Sequence, residues 1–270
     1  MNTELLDLAR RVALEAGSLI ARRRREGVSI ADHKSSPVDV VTAADRESEA
    51  VIRSLIADAR PQDGFFGEEG STDDASRTTG TSGLTWVVDP IDGTVNYLYD
   101  YPQYAVSIAV VEGEADPLTW TALAGCVYGP PTDELFTATA GGGAFLGDTR
   151  LAIAPATTLA QALVGTGFSY DATNRGLQGA VLAKLLPEVR DMRRGGSAAL
   201  DLCYVAMGRL NAYYERGLQP WDHAAGGLIA REAGARVQGF DGVAASGEFL
   251  LAAEPELAAV LEKRLRDLGI

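Results

Sequence analysis

The sequence predicts an α/β protein whose two lobes share a cleft. Three observations predict it. Amphipathic helical stretches alternate with short apolar, strand-like runs along the chain. Between residues 104 and 146 the strand-like runs follow one another directly, as in an antiparallel sheet. No internal repeat and no linker-like segment divides the 270 residues. The chain therefore reads as one unit over 1–270, with approximate lobes 1–150 and 151–270.

The elements follow in order. The stretch up to Gly27 spaces leucines and alanines at helical intervals and closes on glycine. HKSSPVDVVT suits an edge strand or loop. Residues 44–60 form a second helix, with Val51, Ile52, Leu55 and Ile56 on one face. GFFGEEG leads into STDDASRTTGTSG, a polar surface loop. TWVVD is a strand, which Pro90 ends because proline cannot continue a ladder. YAVSIAVVEG, TALAGCVYGP and DELFTATAGGGAFL are strands, and GGGAF is a turn whose glycines serve backbone geometry. In the second half, ALVGTGFS is a strand, and a helix and a strand near EVRDMRRGG follow. SAALDLCYVAMG is a helix with Ser197 as N-cap and Gly208 as its stop. LNAYYERG is a strand, a helix begins after Asp222, and ARVQGF is a strand.

Composition removes several function classes. The net charge is −13, and the only basic run, Arg22 to Arg25, reads as the solvated end of the first helix. A nucleic-acid or anionic-membrane binder needs a basic face. No apolar run is long enough to cross a bilayer, and the first residues read as a helix rather than a signal peptide. Cys126 and Cys203 form no CxxC pair, which fits reduced, buried thiols and a cytoplasmic location. With only His33 and His223, a His-rich zinc site is excluded, and no nucleophile elbow supports a Ser-His-Asp triad. A metal here would be held by oxygen.

The oxygen ligands are visible in WVVDPIDGTVNY. Asp89 and Asp92 flank Pro90 and Ile91 at the C-terminal end of a strand, where α/β sheets place ligands. The Ile91 carbonyl is a further hard-cation donor. Gly93 and Thr94 open the next helix, whose unpaired N–H groups suit a phosphate. A plain capped turn, with Asp92 as N-cap, explains the same pattern equally well. Two stretches favour a site: GFFGEEG places Glu68 after an apolar run, and LQPWDHAAGG places Asp222 before a helix. Each acid ends a strand-like segment. Close carboxylates repel by roughly 4 kcal/mol per pair at an effective dielectric of 20, so a cluster needs protons or cations. An oxygen-only donor set favours Mg²⁺ over zinc. Thr42 and Asp45 fit a capping box, but Asp45 would equally polarise another hydroxyl, and spacing alone leaves both roles open.

KSSPVDVVTAAD, GEE, WVVDPIDGT and YYERGLQPWDHAAGGLIAREAG lie in order between residues 34 and 234. In these motifs the chain resembles the inositol monophosphatase family of Mg²⁺-dependent, Li⁺-sensitive phosphomonoesterases. The resemblance implies a layered αβαβα sandwich and a homodimer. It implies two or three Mg²⁺ ions per site: Glu68, Asp89 and the Ile91 carbonyl would hold the first, and Asp89, Asp92 and Asp222 the second. Gly93 and Thr94 would cradle the phosphate, and Thr94 with Asp45 would orient and deprotonate the attacking water. Asp92, Gly196, Ser197, Ala198, Glu215 and Asp222 would meet the substrate, with Lys34 near the site. Tyr97 departs from the family's phenylalanine, and Ser197 replaces a common threonine. The substrate expected is myo-inositol 1-phosphate, since Glu215 can accept from two vicinal hydroxyls. Histidinol phosphate, fructose 1,6-bisphosphate and adenosine 3′,5′-bisphosphate are alternatives with the same chemistry, and a non-catalytic cation-binding protein is a rival from another class.

Overall fold

A computed structural model describes residues 2–33, 40–69 and 77–270. Helix α1 (Asn2–Glu26) precedes a ribbon of β1 (Ile30–His33) and β2 (Val40–Thr42), and α2 (Ala43–Ala59) follows. Next come β3 (Gly64–Gly67), β4 (Arg77–Thr78), β5 (Leu84–Asp92) and the short helix α3 (Thr94–Leu98). Strands β6 (Ala105–Glu112), β7 (Thr121–Gly129), β8 (Glu134–Thr139), β9 (Gly143–Leu146) and β10 (Thr149–Arg150) run on without a helix between them. The remainder is β11 (Leu163–Thr166), α4 (Ala172–Leu185), β12 (Asp191–Arg193), α5 (Ala198–Ala206), β13 (Ala212–Glu215), α6 (Pro220–Glu232), β14 (Arg236–Gln238), β15 (Leu250–Ala253) and α7 (Pro255–Leu268).

Strands β3 to β10 form an eight-stranded sheet in the order β10-β9-β8-β7-β6-β5-β3-β4. It is antiparallel except where β3 runs parallel to β5. The last five strands form a second sheet, β12-β11-β13-β15-β14, parallel across β12, β11 and β13 and antiparallel beyond. Helices α1 and α2 cover the outer face of the first sheet, with Leu5, Leu8, Val12, Ile20, Ile52 and Ile56 packed on Trp86, Val88, Ile108 and Val110. Helices α5 and α6 lie between the sheets. Helices α4 and α7 cover the outer face of the second. The layer order is αβαβα.

Layer spacing depends on small residues where helix meets sheet. A Cβ on Gly125 of β7 would sit 3.1 Å from the carbonyl oxygen of Ala225, so glycine lets α6 lie close on the first sheet. The turn between β8 and β9 is shorter than GGGAF, because β9 already begins at Gly143, but its glycines serve backbone geometry: Gly141 and Gly143 have φ of 72° and 89°. Their N–H groups donate to the Glu232 carboxylate at the end of α6 (2.8 and 2.9 Å). The run Arg22–Arg25 closes α1, where Arg23 pairs with Glu47 through two 2.7 Å bonds.

The hydroxyl that sets Tyr97 apart has a structural use. Tyr97 is wholly buried, and its Oη donates to the carbonyl of Ile20 in α1 at 2.9 Å. Tyr97→Phe is expected to cost about 1 kcal/mol, the net value of one such bond, and to lower Tm by roughly 2–4 °C without changing turnover. Thermal melts and a kinetic assay check both halves.

Strands β1, β4, β10 and β15 and helix α7 went unread in the sequence; β4 lies within STDDASRTTGTSG, which was expected to be a loop and whose residues 71–76 fall outside the described residues. The last of the five, α7, is the longest. It carries its own signal, because Leu257, Ala258, Leu261 and Leu265 recur at helical spacing and all are buried.

Candidate active site

The site grows from the end of β5. Pro90 does not end the strand, as its chemistry suggested; the strand runs on to Asp92. Asp89 pairs with Ser107 and Asp92 with Ala105, so two residues of β5, Pro90 and Ile91, oppose one of β6, Val106, and one extra residue is inserted. Such a bulge needs no ladder amide from proline, and it re-aims side chains. The Ile91 N–H donates to Asp89 Oδ1 at 3.0 Å. Gly93 then turns the chain at φ 96°, packed so tightly that a Cβ would lie 2.9 Å from the Gln103 carbonyl oxygen.

From the next layer, α6 brings Asp222. The helix begins at Pro220, not after Asp222, because proline fits the first helical position and lacks only a redundant N–H. Asp222 sits inside the first turn, where its Oδ2 accepts the Gln219 N–H at 2.6 Å. One carboxylate oxygen from each of Asp89, Asp92 and Asp222 falls within 4.8 Å of the others. Burial raises all three above the usual carboxylate range, Asp92 to about 6. The charge of Glu68, just past β3, raises them further. A buried set of oxygen donors that repel one another fits a divalent cation, which removes the repulsion.

Asp92 is itself gripped. Ser197, the N-cap of α5, donates its hydroxyl to Asp92 Oδ2 at 2.6 Å, and the Ala199 N–H donates to the same oxygen at 2.7 Å. The Ser197 hydroxyl proton, expected to face substrate, is thus directed at Asp92.

Asp45 takes both roles that its spacing left open. Its Oδ2 accepts from the Thr42 N–H and hydroxyl, closing the cap of α2. Its Oδ1 lies 3.0 Å from Thr94 Oγ1, which is also 3.1 Å from the Ile91 carbonyl oxygen. Asp45 is fully buried, and that burial lifts it to about 6.

These groups border a cleft of about 470 Å³ between the two sheets. Glu68, Asp89, Ile91, Asp92, Gly93, Thr94 and Asp222 line it, together with Gly196, Ser197, Ala198 and Glu215. Asp45 stands behind Thr94. Lys34 lies outside the described residues. Burial pushes the Glu215 carboxyl up to about 7, against the opposing pull of the Tyr213 hydroxyl and the Arg194 guanidinium.

Sequence reasoning missed Arg194, Asp201 and Tyr213, which also line the cleft. Asp201 lies one helical turn beyond Ser197, a spacing that puts the two on one face. It is buried and accepts a hydrogen bond from Gln103 Nε2 at 3.0 Å. Tyr213 stands two residues before Glu215, on the same strand face. Arg194 carries no readable signal, being one of two adjacent arginines.

The family model for the inositol monophosphatase family matches residues 1–268. The chain belongs to the inositol monophosphatase family. It is 45% identical over 246 residues to an inositol-1-monophosphatase of Mycobacterium bovis, covering 86% of this chain and 83% of that protein. It is 40% identical to a Vibrio cholerae protein named Nus factor SuhB, covering 88% and 86%. Among solved structures, the extragenic suppressor protein SuhB of Bartonella henselae superposes with a TM-score of 0.87 at 34% identity, covering 99% of this chain and 100% of that one. The chain is a phosphoric monoester hydrolase of this family. No helix among the described residues is long and apolar enough to cross a membrane.

Proposed function

We propose that this family member is a Mg²⁺-dependent phosphatase that releases phosphate from myo-inositol 1-phosphate and related polyol monophosphates. The observation that carries the reading is the juxtaposition of two assemblies at the end of β5. One is the buried acid trio Asp89, Asp92 and Asp222; the other is the Thr94–Asp45 pair.

Glu68, Asp89 and the Ile91 carbonyl, with Asp92 and Asp222, are the groups assigned to hold two or three Mg²⁺ ions. Bound there, Mg²⁺ supplies acidified water and neutralises charge on the phosphate and the leaving oxygen. The remaining work falls to the chain. Gly93 and Thr94 orient the phosphate beside the acids. Thr94 Oγ1 accepts a proton from the attacking water while its own proton passes to Asp45 Oδ1. The water oxygen bonds to phosphorus, the ester P–O bond breaks, and the alkoxide takes a proton from solvent. Asp45, lifted to about 6, matches such a base near neutral pH. In the same cleft, Glu215 accepts hydrogen bonds from substrate hydroxyls, and Gly196 and Ala198 also meet the substrate.

The test is phosphate release with and without Mg²⁺ and Li⁺ from myo-inositol 1-phosphate, histidinol phosphate, fructose 1,6-bisphosphate and adenosine 3′,5′-bisphosphate. Preference for the inositol ester, dependent on Mg²⁺ and reduced by Li⁺, is the expected result. Preference for another ester would retain the chemistry and remove Glu215 as the reason for specificity. No release from any ester with Mg²⁺ bound would leave a non-catalytic scaffold. A homodimer in the cytoplasm is the assembly and location this reading carries with it, and sedimentation tests the first.

A further inference from the structure

Tyr213 and Glu215 leave the same face of β13, two residues apart. The neighbouring parallel strand β11 pairs Gly165 with Tyr213, and Gly167 follows its last residue, Thr166. A side chain at Gly165 or at Gly167 would displace a neighbouring side chain. Neither has a positive φ. A Cβ on Gly165 would lie 2.8 Å from Leu210 Cδ1 and 3.1 Å from Tyr213 Cδ2. A Cβ on Gly167 would overlap the carboxylate of Glu215. Gly165 on β11 and Gly167 just beyond its end thus open a slot that Tyr213 and Glu215 fill.

Within the slot Tyr213 is 0% exposed, and its hydroxyl donates to Glu215 Oε2. Burial holds that phenol far above its ordinary pKa, so it remains a donor. Oε1 of Glu215 takes no hydrogen bond from the described residues, and Glu215 lines the cleft. A free carboxylate on a two-methylene stem samples several rotamers and loses that freedom on binding; one already held does not.

We propose that Tyr213 is a positioning residue for substrate selection: with the Gly167 slot, it holds the Glu215 carboxylate with Oε1 free to accept from a hydroxyl group of a polyol phosphate. The proposal rests on the reading of Glu215 as the polyol contact. A purely structural Tyr213 would instead support every substrate alike.

The experiment measures kcat and KM for myo-inositol 1-phosphate and for an aryl phosphate without hydroxyls, using wild type, Tyr213→Phe, Glu215→Gln and the double variant. Tyr213→Phe is expected to raise KM for the inositol ester and to lower its kcat/KM relative to the aryl ester roughly tenfold. In the Glu215→Gln background it should add little, because the two act as one unit. Gly167→Ala, which displaces the carboxylate, should lower the same ratio; it carries the test should Tyr213→Phe fail to fold. Equal losses on both esters, or full additivity with Glu215→Gln, would overturn the role of Tyr213. A ratio untouched by Glu215→Gln itself would overturn the underlying reading of Glu215.

Discussion

Asp92→Asn is expected to lower kcat about 10³-fold or more while leaving the metal-free protein at least as stable as before. The side chain is the meeting point of three elements. It leaves the bulge of β5, accepts from Ser197 and Ala199 of α5, and faces Asp222 of α6. An asparagine oxygen can keep the two α5 bonds, so the fold has little reason to change. What disappears is one negative charge from a buried trio whose members already repel. Relief of that repulsion should raise the Tm of the protein in chelator by roughly 2–4 °C, the shift that 1 kcal/mol produces in a chain near this size. The wild-type rise of Tm on adding Mg²⁺ should shrink sharply, since only a ligand that binds the native state stabilises it. Melts with chelator and with Mg²⁺, beside a turnover assay, read all three effects. A variant that lost stability in chelator and kept its Mg²⁺ response would show Asp92 to be a structural cap.

Much of the acid constellation was legible because its members terminate apolar runs. That pattern is local and holds only in part, since β5 runs past Asp89 to Asp92 and Asp222 lies in the first turn of α6, yet Asp89, Asp92 and Asp222 do converge. The convergence itself was not legible, since it depends on pairing between segments more than a hundred residues apart. The bulge at Pro90 illustrates the limit. Proline correctly signals a break in the ladder, yet the break is an insertion opposite Val106, and only the partner strand reveals it. The start of α6 at Pro220 was misplaced for the opposite reason: Asp222 resembled an N-cap, and the capped turn lies three residues earlier. The order of layers came from family resemblance alone, because amphipathic helices do not state which sheet they cover. Tyr213 was read only as part of a strand, since its partner is two residues along the same strand and its slot is opened by Gly165 on another strand and Gly167 just beyond that strand's end.

Thr94→Ala should separate chemistry from metal binding. Thr94 Oγ1 lies between Asp45 Oδ1 and the Ile91 carbonyl oxygen, and none of the acid trio depends on it for a hydrogen bond. Removing the hydroxyl breaks the route from the attacking water to Asp45, and the loss expected from a proton-transfer group is about 10²–10⁴ in kcat. The Mg²⁺-dependent rise in Tm should persist, in contrast to Asp92→Asn. Asp45 Oδ1 would lose its partner in a buried setting, which costs about 1–3 kcal/mol of stability, while the Thr42 cap continues to hold Oδ2. Thr94→Ser retains the hydroxyl and should recover most of the rate. Full activity in Thr94→Ala would remove Thr94 and Asp45 from the proton route and leave the acids to act alone. A lost Mg²⁺ response in that variant would instead make the Thr94–Ile91 contact part of the metal site's support.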